Sequence, residues 1–399
     1  MIEHDVILVA GGVEYTKCWT SFEVEQDIRK WPGSFRFTAS PATSDITRAL
    51  TEAVRNAAVV SVRVDGTTVS TGRIVDIEQG VSREQGTYVN VSGTGPLGPA
   101  TKSCMPLGHS CRGMTVKDAV AYALSPWGVE VIADNAANRA ACVMRTQRTR
   151  QTGDNTLHTE NVAGGAGGHI NFQQASPDAQ RTAQVPDDRA VVARPGETVA
   201  DWIKRFLAQV GMLCWETARG QVFIGLPDYT MPPLYTIVVP EVPDNATPVE
   251  GQVISSKLVE RPGDQATCVT VTGRVGRAGA TRVWARATDD ILTDTGWISA
   301  KIVTDDKLRD QVKAQTKANQ ILRAEQLESY VYECTIAGHG VGRFLPAVDT
   351  MVDIRDGVCG ISETLWCAAR SFTYGPRPKG AEVHLTFVRP DLWLPEADT

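Results

Sequence analysis

The chain has 399 residues, 42% of them hydrophobic, with a formal net charge of −6. Length and composition suit a soluble protein of two to four domains with sizeable cores. They exclude a membrane helix, since no run of 18 apolar residues occurs, and the negative balance argues against a dedicated DNA-binding surface.

The acidic start, Met1-Ile2-Glu3-His4-Asp5, lacks the basic and apolar regions of a signal peptide. It predicts a protein that stays in the cytoplasm where it is made. Nine cysteines (Cys18, Cys104, Cys111, Cys142, Cys214, Cys268, Cys334, Cys359 and Cys367) form no C-x-x-C, so they read as small buried hydrophobes in a reducing compartment.

The first hundred residues read as β-structure. Val6, Leu8 and Ala10 alternate with Ile7 and Val9, and Gly11-Gly12 turns the chain. Phe35-Arg36-Phe37 is a short strand, and a helix is expected around Ser44 to Asn56. Val60, Val62 and Val64 lead into Asp65-Gly66, the favoured two-residue hairpin turn because both central positions need positive φ. Strands over Ile74–Val81 and Thr87–Gly93 follow.

The pattern changes near Gly95-Pro96. Thr115, with Asp118 three residues on, caps a helix that Pro126 ends. Val129, Val131 and Ala133 form a strand. Thr198 caps a clearer helix, with Val199, Trp202, Ile203, Phe206, Leu207 and Val210 on one stripe and Gly211 at its left-handed end. A hairpin through Arg219-Gly220 follows. Between these helices, the stretch from Arg145 to Asp188, with Gly164 to Gly168 inside it, shows little apolar periodicity and reads as an extended arm. Beyond Pro243 the β pattern returns. Thr267 to Gly273 echoes Thr87 to Gly93. A long helix is expected from about Thr304 to Glu328, capped by Thr304, with Leu308, Val312, Ile321 and Leu322 on its face. Val352 to Gly357 repeats the Val62 to Gly66 hairpin, and Trp366–Tyr374 and Val383, Leu385, Phe387 mark the last strands. Three echoes in one order suggest an internal duplication.

No constellation meets a catalytic test. The six histidines (His4, His109, His158, His169, His339 and His384) have no zinc-hydrolase spacing. His158 and His169 could meet in space to hold a metal, but read as solvated loop residues. Cys104 and Cys111 flank His109 at a spacing that fits no familiar metal site. Gly164 to Gly168 lacks the Gly-Lys-Ser/Thr of a phosphate loop. Arg145, Arg148 and Arg150 make a small basic cluster, either a solvated face or a contact with an acidic neighbour. No catalytic, cofactor-binding or metal-binding residue is therefore expected.

Several segments resemble one family in order. They are Thr71-Gly72-Arg73-Ile74-Val75-Asp76 with Val89 to Gly93; Pro195-Gly196-Glu197-Thr198-Val199; Ile254-Ser255-Ser256 with Val269 to Gly273; Ala287-Thr288-Asp289-Asp290; and Glu382 to Pro390. Together they resemble the central baseplate hub of Mu-like contractile phage tails, a family similar to the hubs of larger myophages and the trunk of type VI spike proteins. The long 145–188 insertion departs from that pattern. The resemblance implies a β-dominated α+β fold with two related antiparallel tube-like barrels: residues 1–98, then 246–275 with 329–399. It implies inserted modules at 99–245, whose polar arm covers about 145–190, and at 276–328. It also implies a homotrimer that adapts a six-fold tail tube to a three-fold spike around a channel. Tail tube and spike are the expected partners, with tape-measure and wedge proteins as further ones. The genome would pass through the lumen unbound, no membrane or cofactor is involved, and the place of action is the virion baseplate, assembled in the host cytoplasm. The alternative reading is a baseplate-associated peptidoglycan hydrolase housed in residues 100 to 240.

Overall fold

The computed structural model describes residues 6–16, 19–39, 48, 51–52, 59–82, 86–106, 111, 114–134, 146–151, 157–162, 192–240, 249–273, 283–294, 296, 298–305, 308, 311–375 and 380–393. Strict alternation decides most of its architecture. Seven strands come from the first hundred residues: β1 (Val6–Ala10), β2 (Val13–Tyr15), β3 (Trp19–Asp27), β4 (Lys30–Ala39), β5 (Val60–Val64), β6 (Thr67–Ser82) and β7 (Gly86–Thr94). The expected turn between β5 and β6 is present, with Asp65 at φ 48° and Gly66 at φ 76°. Most of the helix expected at Ser44 to Asn56 lies outside the described residues.

Six strands from the rest of the chain join the same 13-stranded sheet. They are β13 (Thr236–Val239), β14 (Val253–Glu260), β18 (Tyr330–Ala337), β19 (Thr350–Asp356), β20 (Ile361–Gly375) and β21 (Gly380–Val388). In space the first half runs β1-β5-β6-β7-β4-β3 and the second β13-β19-β20-β21-β18-β14. The hairpin echo read in the sequence is therefore an echo of topology: β5, β6 and β7 occupy the places of β19, β20 and β21. One difference breaks the match. β1 is antiparallel to β5, whereas β13 is parallel to β19.

The halves meet where β3 pairs antiparallel with β20, from Phe22↔Tyr374 to Asp27↔Ala369. One registered row crosses eight strands here: Ile74, Gly93, Phe35, Val24, Phe372, Val383, Ile336 and Val253. Its neighbours along the strands point the opposite way, because side chains alternate faces. The inward row feeds one apolar cluster that draws on both halves. Burying a Phe or Val side chain contributes roughly 1.5–3 kcal/mol, so this shared row holds the halves as one body. Among the described residues the two halves form one continuous 13-stranded sheet, in which no ladder closing either half is seen.

The α+β module follows β7 directly. It holds α1 (Gly98–Lys102), α2 (Val116–Leu124), α3 (Val199–Gln209) and a small sheet of β11 (Leu213–Glu216), β12 (Val222–Gly225) and β8 (Val131–Ala133). Both caps read from sequence are present: Asp118 N–H donates to Thr115 Oγ1, and Asp201 N–H to Thr198 Oγ1, each at 3.1 Å. The stripe on α3 builds a separate core in which Trp202 and Phe206 stack at 5.0 Å. Within the expected arm, β9 (Thr146–Gln151) and β10 (Leu157–Val162) pair only with each other, and the rest of the arm lies outside the described residues.

Two expectations are corrected in the second insertion. The strand β15 (Cys268–Gly273) belongs to neither half of the large sheet. It sits between β16 (Trp284–Thr288) and β17 (Ala300–Asp305) in a three-stranded sheet covered by α5 (Gln311–Ser329). Its echo of Thr87 to Gly93 is therefore not spatial. β7 buries alternate residues whereas β15 is buried at every residue but Thr270, so the shared Thr-Val-Val-Gly spelling serves two different environments. Thr304 does not cap the long helix either. Thr304 and Asp305 continue β17 in parallel register with Thr272 and Gly273, a ladder that outcompetes a helix start. The helical face is Ala314, Ala318 and Leu322, while Val312 is 72% exposed. A short helix, α4 (Asp290–Asp294), precedes β17.

Candidate functional site

The residues singled out in the sequence do not converge. No group of three His, Cys, Asp or Glu side chains among the described residues could hold a metal ion. His4, His109, His169, Arg145 and Gly164 to Gly168 lie outside the described residues. His158 and Arg148 sit in β10 and β9, where His158 is registered opposite Arg150. Cys104 is exposed and Cys111 buried, its thiol pushed up to about 12 by that burial. Cys104, Cys214, Cys268, Cys334, Cys359 and Cys367 carry free thiols. His339 is buried, its Nε2 3.0 Å from the Thr373 carbonyl.

Two features do emerge from the fold. The first is the outer face of the large sheet. The row registered across Arg73, Thr94, Ser34, Glu25, Ser371, His384, Thr335 and Ser255 crosses eight strands and is polar throughout. A second polar row crosses six strands through Asp76, Ser92, Arg36, Glu23, Thr373 and Glu382. The side chains bond to one another: Thr335 Oγ1 and His384 Nδ1 are 2.9 Å apart, and Thr38 Oγ1 donates to Asn90 Oδ1 at 3.0 Å. Neither row carries an apolar side chain, and rows without an apolar anchor are poorly suited to gripping a protein partner.

The second feature is a buried joint between the two sheet halves and the α+β module. Glu216, the last residue of β11, is 7% exposed. Its Oε2 accepts the Gly33 N–H and its Oε1 the Leu97 N–H, both at 2.7 Å. Gly95 is required here, since a Cβ on it would lie 2.2 Å from Oε2. Burial pushes the Glu216 carboxyl up to about 7, with the Gly33 and Leu97 N–H groups pulling the other way. Gln26 of β3 links this carboxylate strand to the second half. Its Nε2 donates to the Glu216 carbonyl at 2.8 Å, and its Oε1 accepts from Arg370 Nη2 at 3.0 Å. Arg370, on β20 and 6% exposed, also donates to the Pro346 carbonyl at 2.5 Å and the Val69 carbonyl at 2.9 Å. A cavity of about 320 Å³ lies beside the joint, lined by Trp215, Phe223, Val348, Asp349 and Arg370 among others. Asp349 accepts from Trp366 Nε1 at 3.1 Å, and burial pushes its carboxyl up to about 6.

These carboxylates are engaged by backbone and indole N–H groups of the fold, and no observation among the described residues favours the hydrolase alternative. Sequence reasoning missed Glu216, Gln26 and Arg370. The available signal was weak: a single acid ending the apolar run Leu213-Cys214-Trp215, and one Arg inside the apolar strand Trp366 to Phe372.

Residues 5–95 match the family described as Mu phage baseplate assembly protein GpP-like, N-terminal. Among solved structures, the whole chain is similar to a tail protein from Neisseria meningitidis MC58, at 19% identity and TM-score 0.69 over 99% of both chains. It is similar to the 43 kDa tail protein of prophage MuSo2 from Shewanella oneidensis, at 15% identity and TM-score 0.69 over 98% of this chain and 99% of that one. A chain of the Francisella PdpA–VgrG complex is similar at 9% identity and TM-score 0.52, over 99% of this chain and 59% of that one. No curated protein matches the chain in sequence. The first ninety residues thus carry the baseplate family resemblance seen in the sequence, and the fold is shared with the two tail proteins and with a chain of the PdpA–VgrG complex.

Proposed function

We propose that the chain is the central hub subunit of a contractile-tail baseplate, a structural protein that adapts a six-fold tail tube to a three-fold spike. The observation that carries this reading is the repeated strand order, β1-β5-β6-β7-β4-β3 and β13-β19-β20-β21-β18-β14. Three copies in a ring offer six similar sheet units to one neighbour. They offer only three α+β modules and three α5 modules to another. Each contact between copies is heterologous and closes by rotation, and obligate contacts of this kind bury roughly 2,000 Å² or more. In this reading residues 1–98 form one unit, and the second unit, expected at 246–275 with 329–399, is drawn instead from β13, β14 and β18 to β21, with the modules between.

The polar outer face suits the wall of the central channel. Glu23, Glu25, Asp76 and Glu382 outnumber Arg36 and Arg73 in its two long rows, so the genome would pass without being held. The tail tube and spike are the partners, with tape-measure and wedge proteins docking on the modules. The hub acts in the virion, after assembly in the host cytoplasm.

The test is light scattering of the full chain, alone and with its cognate spike. A mass of three 43.1 kDa chains within the complex supports the reading, as does a ring in negative-stain images. A strict monomer in the presence of the spike overturns it.

A further inference from the structure

Along β11 the side chains alternate between two environments. Cys214 enters the module core with Ile224, while Trp215 turns to the other side, level with Phe223 of β12. Trp215 is 5% exposed and belongs to an apolar cluster with Ile28, Met351, Trp366 and Val388, so packing fixes this seam between module and sheet. The Trp215 and Phe223 rings stand 4.6 Å apart and form one wall of the open cavity of about 320 Å³. Val348 and Asp349 from the loop before β19, Arg370 from β20 and Glu216 also line it.

The charged groups in that lining are not equivalent. Both Glu216 oxygens accept backbone N–H groups. Arg370 donates to three oxygens and lies over the Phe372 ring at 5.1 Å. Asp349 differs. Its carboxyl has one hydrogen-bond donor among the described residues, the Trp366 indole at 3.1 Å, and no cation among them pairs with it, Arg370 included. The charge acting on it is a second carboxylate, that of exposed Asp228. An amide would accept the indole N–H as well, so the fold does not need this charge. A half-buried carboxylate without a counterion costs free energy that a cation would offset.

The chemistry of the wall narrows the choice of cation. A metal ion does not fit, since no group of three His, Cys, Asp or Glu side chains among the described residues could hold one. The volume is at the lower end of ligand pockets and suits one long side chain. Aromatic rings favour a planar, weakly hydrated guanidinium, which stacks on their faces, over a compact ammonium.

We propose that this cavity is a receptor site for a guanidinium, the arginine side chain of a partner chain, with Asp349 as its counterion and the Trp215–Phe223 wall as its stacking surface. Arg370 is the one cation in the lining and its bonds are already committed, so the guanidinium arrives from outside. That it belongs to a protein rests on the structural reading above; the guanidinium site itself does not.

Ligand-observed saturation-transfer NMR on the full-length protein tests this with N-acetyl-L-argininamide, which carries the side chain as a peptide would. Its dissociation constant is expected on the order of a millimolar, the affinity a ligand of this size ordinarily reaches. The citrulline analogue, similar in shape but uncharged, should bind about tenfold more weakly. Asp349→Asn should weaken N-acetyl-L-argininamide by about tenfold, and Phe223→Leu by about threefold. Equal binding of the two analogues overturns the proposal, as does unchanged affinity in Asp349→Asn. Free L-arginine binding about tenfold more tightly than the capped form would assign the site to the amino acid and overturn the partner-chain source. Should Asp349→Asn not fold, the wild-type comparison with citrulline decides alone. No arm depends on ring formation, so a failed site leaves the hub reading standing, and a monomeric chain leaves the site testable.

Discussion

Arg370 is the residue through which the two sheet halves are most directly tied, and Arg370→Met tests how much that tie matters. The guanidinium donates three hydrogen bonds, to Pro346, Gln26 and Val69, and lies over the Phe372 ring at 5.1 Å. Hydrogen bonds from a charged donor contribute roughly 1.5–3 kcal/mol each. Against them stands the cost of holding a cation out of water, since burial lowers the Arg370 pKa from 12.5 to about 10. That difference corresponds to about 3 kcal/mol. Methionine keeps most of the apolar stem, removes the charge and leaves three acceptors bare. The balance is a destabilisation of about 3 kcal/mol. Urea unfolding followed by tryptophan emission at pH 7.5 measures it. A double-mutant cycle with Gln26→Leu should return a coupling of about 1–2 kcal/mol, because Gln26 is a shared partner. An Arg370→Met variant within about 0.5 kcal/mol of wild type, the usual reach of surface changes, or strict additivity with Gln26→Leu, would refute the reasoning.

Asp349→Asn should stabilise the protein by about 1–2 kcal/mol at pH 8 and by nothing near pH 4. Burial holds the Asp349 carboxyl at about 6, above its ordinary 3.8, so its contribution is present at low pH and lost as pH rises through that window. Asn retains the Trp366 bond and tolerates the positive φ of 58°, and thermal melts across pH check the crossing. Gly72→Ala should cost more than about 3 kcal/mol, because its Cβ would stand 2.0 Å from the Thr94 carbonyl oxygen, a backbone atom held by the β6–β7 ladder. Loss of soluble yield or a melting point lowered by several degrees is the expected readout; a wild-type melt would count against the strand packing described.

Local rules were legible in the sequence, and distant pairing was not. The Thr115 and Thr198 caps, the Asp65-Gly66 turn and the buried alternation of Val383, Leu385 and Phe387 are all decided within a few residues, and the structure holds them. The β3–β20 pairing joins residues more than 340 positions apart, and no local pattern names the partner of an alternating strand. The misreading of Thr304 has the same origin. A Thr followed by two acids satisfies a helix start, and only the distant strand Cys268–Gly273 makes it a parallel ladder instead. Glu216 was hidden for a further reason. Nothing in Leu213-Cys214-Trp215-Glu216 shows where the carboxylate points. Its meaning comes from Gly33 and Gly95, whose lack of side chains opens the space.

The molecule joins its parts in two physically different ways, and the difference bears on how it could work. The sheet halves share a backbone ladder, an eight-strand apolar row and the Arg370 bonds, so rotating one against the other would expose core and break hydrogen bonds together. The α+β module meets the first half through polar contacts around one buried carboxylate and through Trp31, and one apolar cluster joins Ile28 of the first half, Trp215 of the module and Trp366 of the second half. Where it meets the second half it brings Trp215 against Trp393, beside an open cavity. The sheet is therefore tied along a continuous ladder, and the module at one carboxylate joint and one apolar cluster, so the repeated element is the part whose geometry the backbone itself fixes.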